Sequence, residues 1–85
     1  MSKTMHGLLY ITKPLDIKNL TVGDLVDSIY SKHVIHLYIY KRFIFKFKIY
    51  NRTVDELHKD VKNRIRVNNV KNFHINKNKV TVEIW

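Results

Sequence analysis

The chain has 85 residues, 45% of them apolar, with two glycines, one proline and no cysteine. That length and content describe one folded domain spanning residues 1–85, and they exclude a disordered chain, a disulfide scaffold and any thiolate nucleophile or thiolate metal site. The formal net charge of +9 is uneven: residues 1–33 carry four basic and three acidic groups, whereas residues 34–85 carry twelve and four.

A field of that sign draws polyanions toward the second part of the chain. No apolar run reaches the roughly twenty residues that a membrane-spanning helix needs. The opening MSKTMHGLLYITK lacks the long apolar region and small-residue cleavage site of a signal peptide. The expectation is an intracellular protein, cytoplasmic or associated with nucleic acid, with no transmembrane association.

In chain order, the first predicted strand is LLYIT, residues 8–12. Lys13-Pro14 ends it, because proline restricts its predecessor and has no amide hydrogen for a ladder. Residues 16–20, DIKNL, read as a connection. Thr21 then caps a helix, with Asp24 three positions on in a capping-box arrangement. Val22, Leu25, Val26, Ile29 and His33 follow helical spacing and face the core, while Asp24, Asp27, Ser28, Ser31 and Lys32 fall largely on the other side.

The stretch VIHLYIYKRFIFKFKIY, residues 34–50, threads cations through the most hydrophobic segment of the chain. Its simplest reading is two strands turning near Tyr40-Lys41-Arg42. A two-residue turn at Lys41-Arg42 opposes Tyr40 to Phe43, Leu37 to Lys46 and Ile35 to Lys48, mixing charge with aliphatics on one face. A three-residue loop instead aligns Ile39 with Phe43, Leu37 with Phe45 and Ile35 with Phe47. One face then carries Ile35, Leu37, Ile39, Phe43, Phe45, Phe47 and Ile49. The reverse carries Val34, His36, Tyr38, Ile44, Lys46, Lys48 and Tyr50. Parity decides which side chains meet the core, so the second register is favoured. Lys-Arg also lacks the glycine or asparagine of tight hairpin turns.

Thr53 to Glu56 form a clearer capping box, opening a helix whose apolar stripe is Val54, Leu57, Val61 and Ile65. Asn68-Asn69 punctuates the chain. The end, KNFHINKNKVTVEIW, reads as a hairpin in which Phe73 and Ile75 share a face with Val80, Val82 and Ile84 across a loop at residues 76–79.

The resulting order is β-α-β-β-α-β-β, an α+β domain. TVGDL at residues 21–25 returns as TVDEL at 53–57, a weak sign of duplication. The leading topology is a ferredoxin-like split βαβ arrangement with an extra C-terminal strand. The alternative is a ubiquitin-like ββαββ roll over residues 34–85, with a β-α extension in front. No residue motif marks a known family.

Chemistry is sparse. Gly7 and Gly23 are isolated and form no phosphate loop. His33 and His36 are the only close pair among the five histidines and straddle a predicted helix-to-strand change, so no metal site and no cofactor are expected. Catalysis is not expected either, the residual chemistry being a small metal-independent nuclease built on histidine and lysine.

The expected activity is non-catalytic binding of DNA or RNA through a basic and aromatic sheet face. Lys46 and Lys48 would contact phosphate, Tyr38 and Tyr50 would stack on unpaired bases, and Lys41 and Arg42 would reach out from the hairpin tip. Lys62 and Arg66, four apart on a helix, would add a second patch with Arg64 and Lys71. The alternative is a small protein-interaction or inhibitor module acting through a homodimer or heteromeric interface. Ile44 and Val34 on the outer face, and lysines that guard a sheet edge, fit that reading.

Overall fold

The computed structural model describes the backbone of residues 4–6, 9–41 and 44–85, and the side chains of residues 9–41 and 48–85. In order, the elements are β1 (Thr4–His6), β2 (Leu9–Ile11), a 3-10 turn (Ile17–Asn19), α1 (Val22–Ser28), β3 (Ile29–Tyr30), β4 (Ile35–Lys41), β5 (Ile44–Arg52), α2 (Val54–Asp60), α3 (Asn63–Arg66), β6 (Val70–Asn76) and β7 (Lys79–Ile84). The class is α+β, and the β-α-β-β-α-β-β succession read from the sequence is present. Added to it are the short β1 and β3, which flank β2 in a small antiparallel sheet.

The main sheet has four strands in the order β5-β4-β7-β6. Its outer pairs are antiparallel hairpins, and its central pair, β4 with β7, is parallel. A parallel pair flanked by two hairpins is the strand order of the ββαββ roll, with β1 to β3 and α1 attached in front.

Helices α1 and α2 begin as their sequences direct. Thr21 Oγ1 accepts from the Asp24 amide at 3.2 Å and the Asp24 carboxylate accepts from the Thr21 amide at 3.4 Å. Thr53 and Glu56 repeat the exchange on α2. The two TV-containing segments therefore do the same local job. Each helix is only seven residues long, too short to persist alone, so packing must hold it. Val22, Leu25 and Val26 of α1 and Leu57 of α2 are accordingly buried.

Each helix stops earlier than its periodicity suggests. α1 ends at Ser28, whose hydroxyl donates to the Asp24 carbonyl at 2.6 Å while its own carbonyl accepts from the Thr12 amide at 2.7 Å. From there Ile29 and Tyr30, residue types that suit a pleated surface, pair with Ile11 and Tyr10. Ile29 thus reaches the core from a strand, and His33 is exposed rather than core-facing. The second stripe is divided: Val61 turns extended (ψ 101°) and separates α2 from α3. Val61 is still buried, and Ile65 packs against the same core from α3. Gly23 sits where α1 meets α3, and a Cβ there would lie 3.1 Å from the Arg66 Cβ.

The core rows run straight across the sheet. Leu37 lies between Tyr50 and Val80, and Ile39 between Lys48 and Val82. The C-terminal hairpin has the expected register, Phe73 opposite Val82 and Ile75 opposite Val80. Its turn is tighter than the loop read from sequence, because Asn76 pairs with Lys79 and leaves only Lys77-Asn78 to reverse the chain. Lys77 takes a left-handed φ of 55°, a region costly for a residue with a Cβ. Asn78 ties the turn to β4: its side-chain amide donates to the Val34 carbonyl at 2.8 Å, and its carbonyl accepts from the His36 amide at 2.9 Å.

The central hairpin departs from its expected register. Ile35, Leu37 and Ile39 face Arg52, Tyr50 and Lys48, and a bulge between Tyr40 and Lys41 precedes the pairing of Lys41 with Ile44. Parity is therefore the reverse of the three-residue-loop arrangement. Ile49 is 48% exposed on the outer face instead of buried, while Lys48 and Tyr50 lie on the helix side. The inward positions proposed for Phe43, Phe45 and Phe47 involve side chains outside the described residues. The physical reason is that β5 is an edge strand. Its inward positions are covered on one flank only, so a lysine or arginine can lay its stem along the core and keep its charge in water. Arg52, half exposed there, donates from Nε to Asp60 Oδ2 of α2 at 2.8 Å.

A short seam joins the N-terminal elements to the roll. Thr21 bridges Asn69, the Val22 amide donates to the Asn68 carbonyl at 2.9 Å, and the Val70 amide donates to the Leu20 carbonyl at 2.8 Å. Among the described residues no helix is long and apolar enough to cross a membrane.

Candidate nucleic-acid interface

Strand alternation sends every second side chain of the main sheet away from the helices. On β4 these are His36, Tyr38 and Tyr40, on β7 Lys79, Thr81 and Glu83, and on β5 Ile49 and Asn51. Register places Tyr38 between Ile49 and Thr81, and His36 between Asn51 and Lys79. Tyr40 is 36% exposed and Tyr38 is half-buried among its neighbours. The Lys79 ammonium stands 4.8 Å from the centre of the Tyr38 ring, a cation–π contact. Tyr38, Tyr40, Lys79 and Thr81 together line a shallow depression of about 330 Å³. Beside it His36 Nδ1 hydrogen-bonds Asn51 Oδ1. Since that oxygen only accepts, Nδ1 is the donor of this bond.

The sign of the field follows from where the acids are. Asp16, Asp24, Asp27, Asp55, Glu56 and Asp60 lie on the 3-10 turn, the helices and their caps. Several are engaged there: Asp16 and Asp24 in caps, Asp27 with Arg66, and Asp60 with Arg52. Glu83 alone reaches the outer sheet face, where it accepts from Asn72 Nδ2 at 2.9 Å.

The residues singled out from the sequence separate into groups. Tyr38 is on the outer face, as expected. Lys41 is exposed at the end of β4. Arg42 lies outside the described residues, and so does the side chain of Lys46. Lys48 and Tyr50 occupy the opposite face from Tyr38, so the proposed quartet of Tyr38, Lys46, Lys48 and Tyr50 is not one surface. Tyr50 packs against the core cluster and is a structural ring, not a stacking platform. Lys62 is exposed at the start of α3. Arg66 is not its partner in a phosphate clamp. Its guanidinium is spent inside the protein, donating to the Val61 carbonyl at 2.8 Å, the His58 carbonyl at 3.1 Å and Asp27 Oδ1 at 3.1 Å. Tyr40, Lys79 and Thr81 were missed. The signal was present for Lys79 and Thr81 as the complement of the inward set Val80, Val82 and Ile84, and for Tyr40 as the complement of Ile35, Leu37 and Ile39, but alternation cannot reveal that β7 runs beside β4.

Burial raises the Tyr50 phenol above its ordinary pKa, and the Asp60 carboxylate pushes the same way. Unfolded, the phenol ionises near pH 10, whereas the folded protein retains the proton to higher pH. Above that point unfolding releases a proton, so stability falls as pH rises. Tyr50→Phe is expected to flatten the decline in urea-unfolding free energy above pH 10 relative to the unaltered protein. Superimposable profiles for the two proteins would show that the ring is not held in the core.

Compared with family models, curated proteins and solved structures, the chain matches none.

Proposed function

We propose that the protein binds single-stranded nucleic acid on the outer face of its main sheet, without catalysing a reaction on it. The observation that carries this reading is the pair Tyr38 and Tyr40 on the central strand β4, with the Lys79 ammonium 4.8 Å from the first ring. Same-face residues two apart on a strand are about 6.8 Å from each other. That is roughly twice the 3.4 Å rise between successive bases of one strand in a duplex, so an unpaired, stretched strand can seat one base on each ring. Lys79 and Lys41 then meet the backbone phosphates, and Thr81, His36 and Asn51 offer hydrogen-bond groups to base edges or sugar hydroxyls. A duplex hides the faces on which tyrosine stacks, so the site prefers unpaired strands. This activity places the protein inside the cell, in the cytoplasm or wherever its nucleic acid resides.

Titration of fluorescent single-stranded DNA and RNA across a salt series tests the reading. Tyr38→Ala and Tyr40→Ala are each expected to weaken binding by about 1–3 kcal/mol. Lys79→Ala should also lower the slope of log affinity against log salt by about 0.7, the share of one phosphate contact on a single strand. Lys48→Ala, on the opposite face, should change neither as much. Absence of binding at low salt, or full affinity in both tyrosine variants, would remove this assignment.

A further inference from the structure

A second surface lies at the edge of the same sheet and has a different chemistry. The amide of His36 donates toward β7, to Asn78. Because main-chain groups of successive strand residues point to opposite sides, Ile35, Leu37 and Ile39 direct theirs toward β5. Their partners Arg52, Tyr50 and Lys48 point back toward β4. The N–H and C=O of Ile49 and Asn51 therefore face away from the sheet. Among the described residues, no backbone group of β5 bonds to any strand but β4. β5 is nine residues long, enough to template another strand.

The flanks of this edge are cationic. Lys48 and Arg52 stand on its helix side, and Lys62 is exposed nearby. A hollow of about 480 Å³ runs along it, lined by Ile49, Tyr50, Asn51, Arg52, Asp60 and Lys62. Asp60 is the one acid there, and it is already paired with Arg52 Nε. Arg52 Nη1 donates to the outward Asn51 carbonyl at 3.4 Å, a long bond that an incoming strand amide would replace, freeing that donor for a carboxylate. On the other side of the strand, Ile49 is 48% exposed.

We infer that the free edge of β5 accepts an extended acidic peptide as a fifth strand, its carboxylates alternating with apolar residues. The carboxylates fall beside Lys48, Arg52 and Lys62, the apolar side chains beside Ile49, and the backbone bonds to Ile49 and Asn51. A second copy of the chain fits poorly, because antiparallel self-pairing brings these cations against their own like. Nucleic acid has no alternating row of amide and carbonyl groups to complete the ladder. The edge borders the Tyr38 surface, since Ile49 pairs with Tyr38 and Asn51 with His36, but its ladder groups are main-chain atoms that the stacking site does not use.

The probe is a short capped peptide alternating valine with glutamate. Its controls are the valine–lysine counterpart and a glutamate peptide N-methylated at alternate amides. Isothermal titration should show binding of the glutamate peptide alone. Ile49→Pro removes one outward-facing amide while sparing the bonds to β4, and should weaken binding about tenfold. Lys48→Glu, at an exposed position that folding tolerates, should weaken it about fivefold. His74→Ala, at an exposed position on the far edge strand β6, should leave it unchanged. Four results would overturn the inference: equal binding of the lysine or N-methylated peptide, full affinity in both edge variants, loss of binding in His74→Ala, or a dimer by light scattering in which the edge is already taken.

Discussion

Leu37→Ala is expected to lower the free energy of unfolding by about 2–5 kcal/mol, the range for emptying a fully buried leucine site. Leu37 has no exposed surface and lies on the central strand β4, between Tyr50 and Val80 in the sheet. Leu25, Leu57 and Val61 belong to the same buried cluster. Neighbours on both flanks belong to a hydrogen-bonded ladder and cannot slide inward to refill the space, so relaxation is limited and the cost should fall in the upper half of the range. A domain of this size has a total stability of about 5–15 kcal/mol, and each kilocalorie moves its melting temperature by about 4–8 °C. Thermal unfolding followed by circular dichroism should therefore show a drop of about 15–40 °C, or no cooperative transition. Ile49→Ala provides the contrast: at an exposed position the change should stay within about 0.5 kcal/mol. Comparable losses from the two substitutions would contradict the register, since the three-residue-loop arrangement buries both.

Arg66→Ala should cost about 2–3 kcal/mol, as expected for removing charged hydrogen bonds from a partly buried junction. The Arg66 side chain is 17% exposed and holds three elements at once through Asp27 of α1, the His58 carbonyl of α2 and the Val61 carbonyl between α2 and α3. Removal leaves those carbonyls at a helix break with fewer donors. The same substitution should leave the salt dependence of nucleic-acid binding unaltered, because its charge is already neutralised within the fold. A variant with normal thermal stability and a reduced salt slope would restore Arg66 to the phosphate-contact role that its spacing from Lys62 suggests.

What was legible in the sequence was local. The capping boxes at Thr21 and Thr53 form because their donors and acceptors lie three residues apart, and the inward set of the C-terminal hairpin is right because both of its strands alternate cleanly. The central hairpin was misread because its parity argument treated β5 as buried on its inner face like β4. At an edge, Lys48 and Arg52 can stay there with their charges in water, and that depends on strand order, which residues 34–50 do not encode by themselves. The helix ends were misread for a related reason. Ile29 continues the helical stripe of α1, yet pairing with Ile11 of β2 outweighs one more helical turn. For the candidate site, Tyr38 was accessible from alternation, whereas Lys79 joins it only through the parallel pairing of β4 with β7, a contact between segments about forty residues apart.

The seam between residues 20–22 and 68–70 bears on how the molecule opens. Its bonds, Val22 to Asn68 and Val70 to Leu20, connect the segment before α1 with the one leading into β6. Both segments bury apolar side chains in the same cluster as β4. Releasing the first third of the chain therefore strips the start of β6 of the bond on its flank away from β7, and melting the roll leaves α1 nothing to rest on. Amide protons on either side of that junction should be lost to solvent deuterium at a common rate, the mark of a chain that unfolds as one cooperative unit and not in two stages.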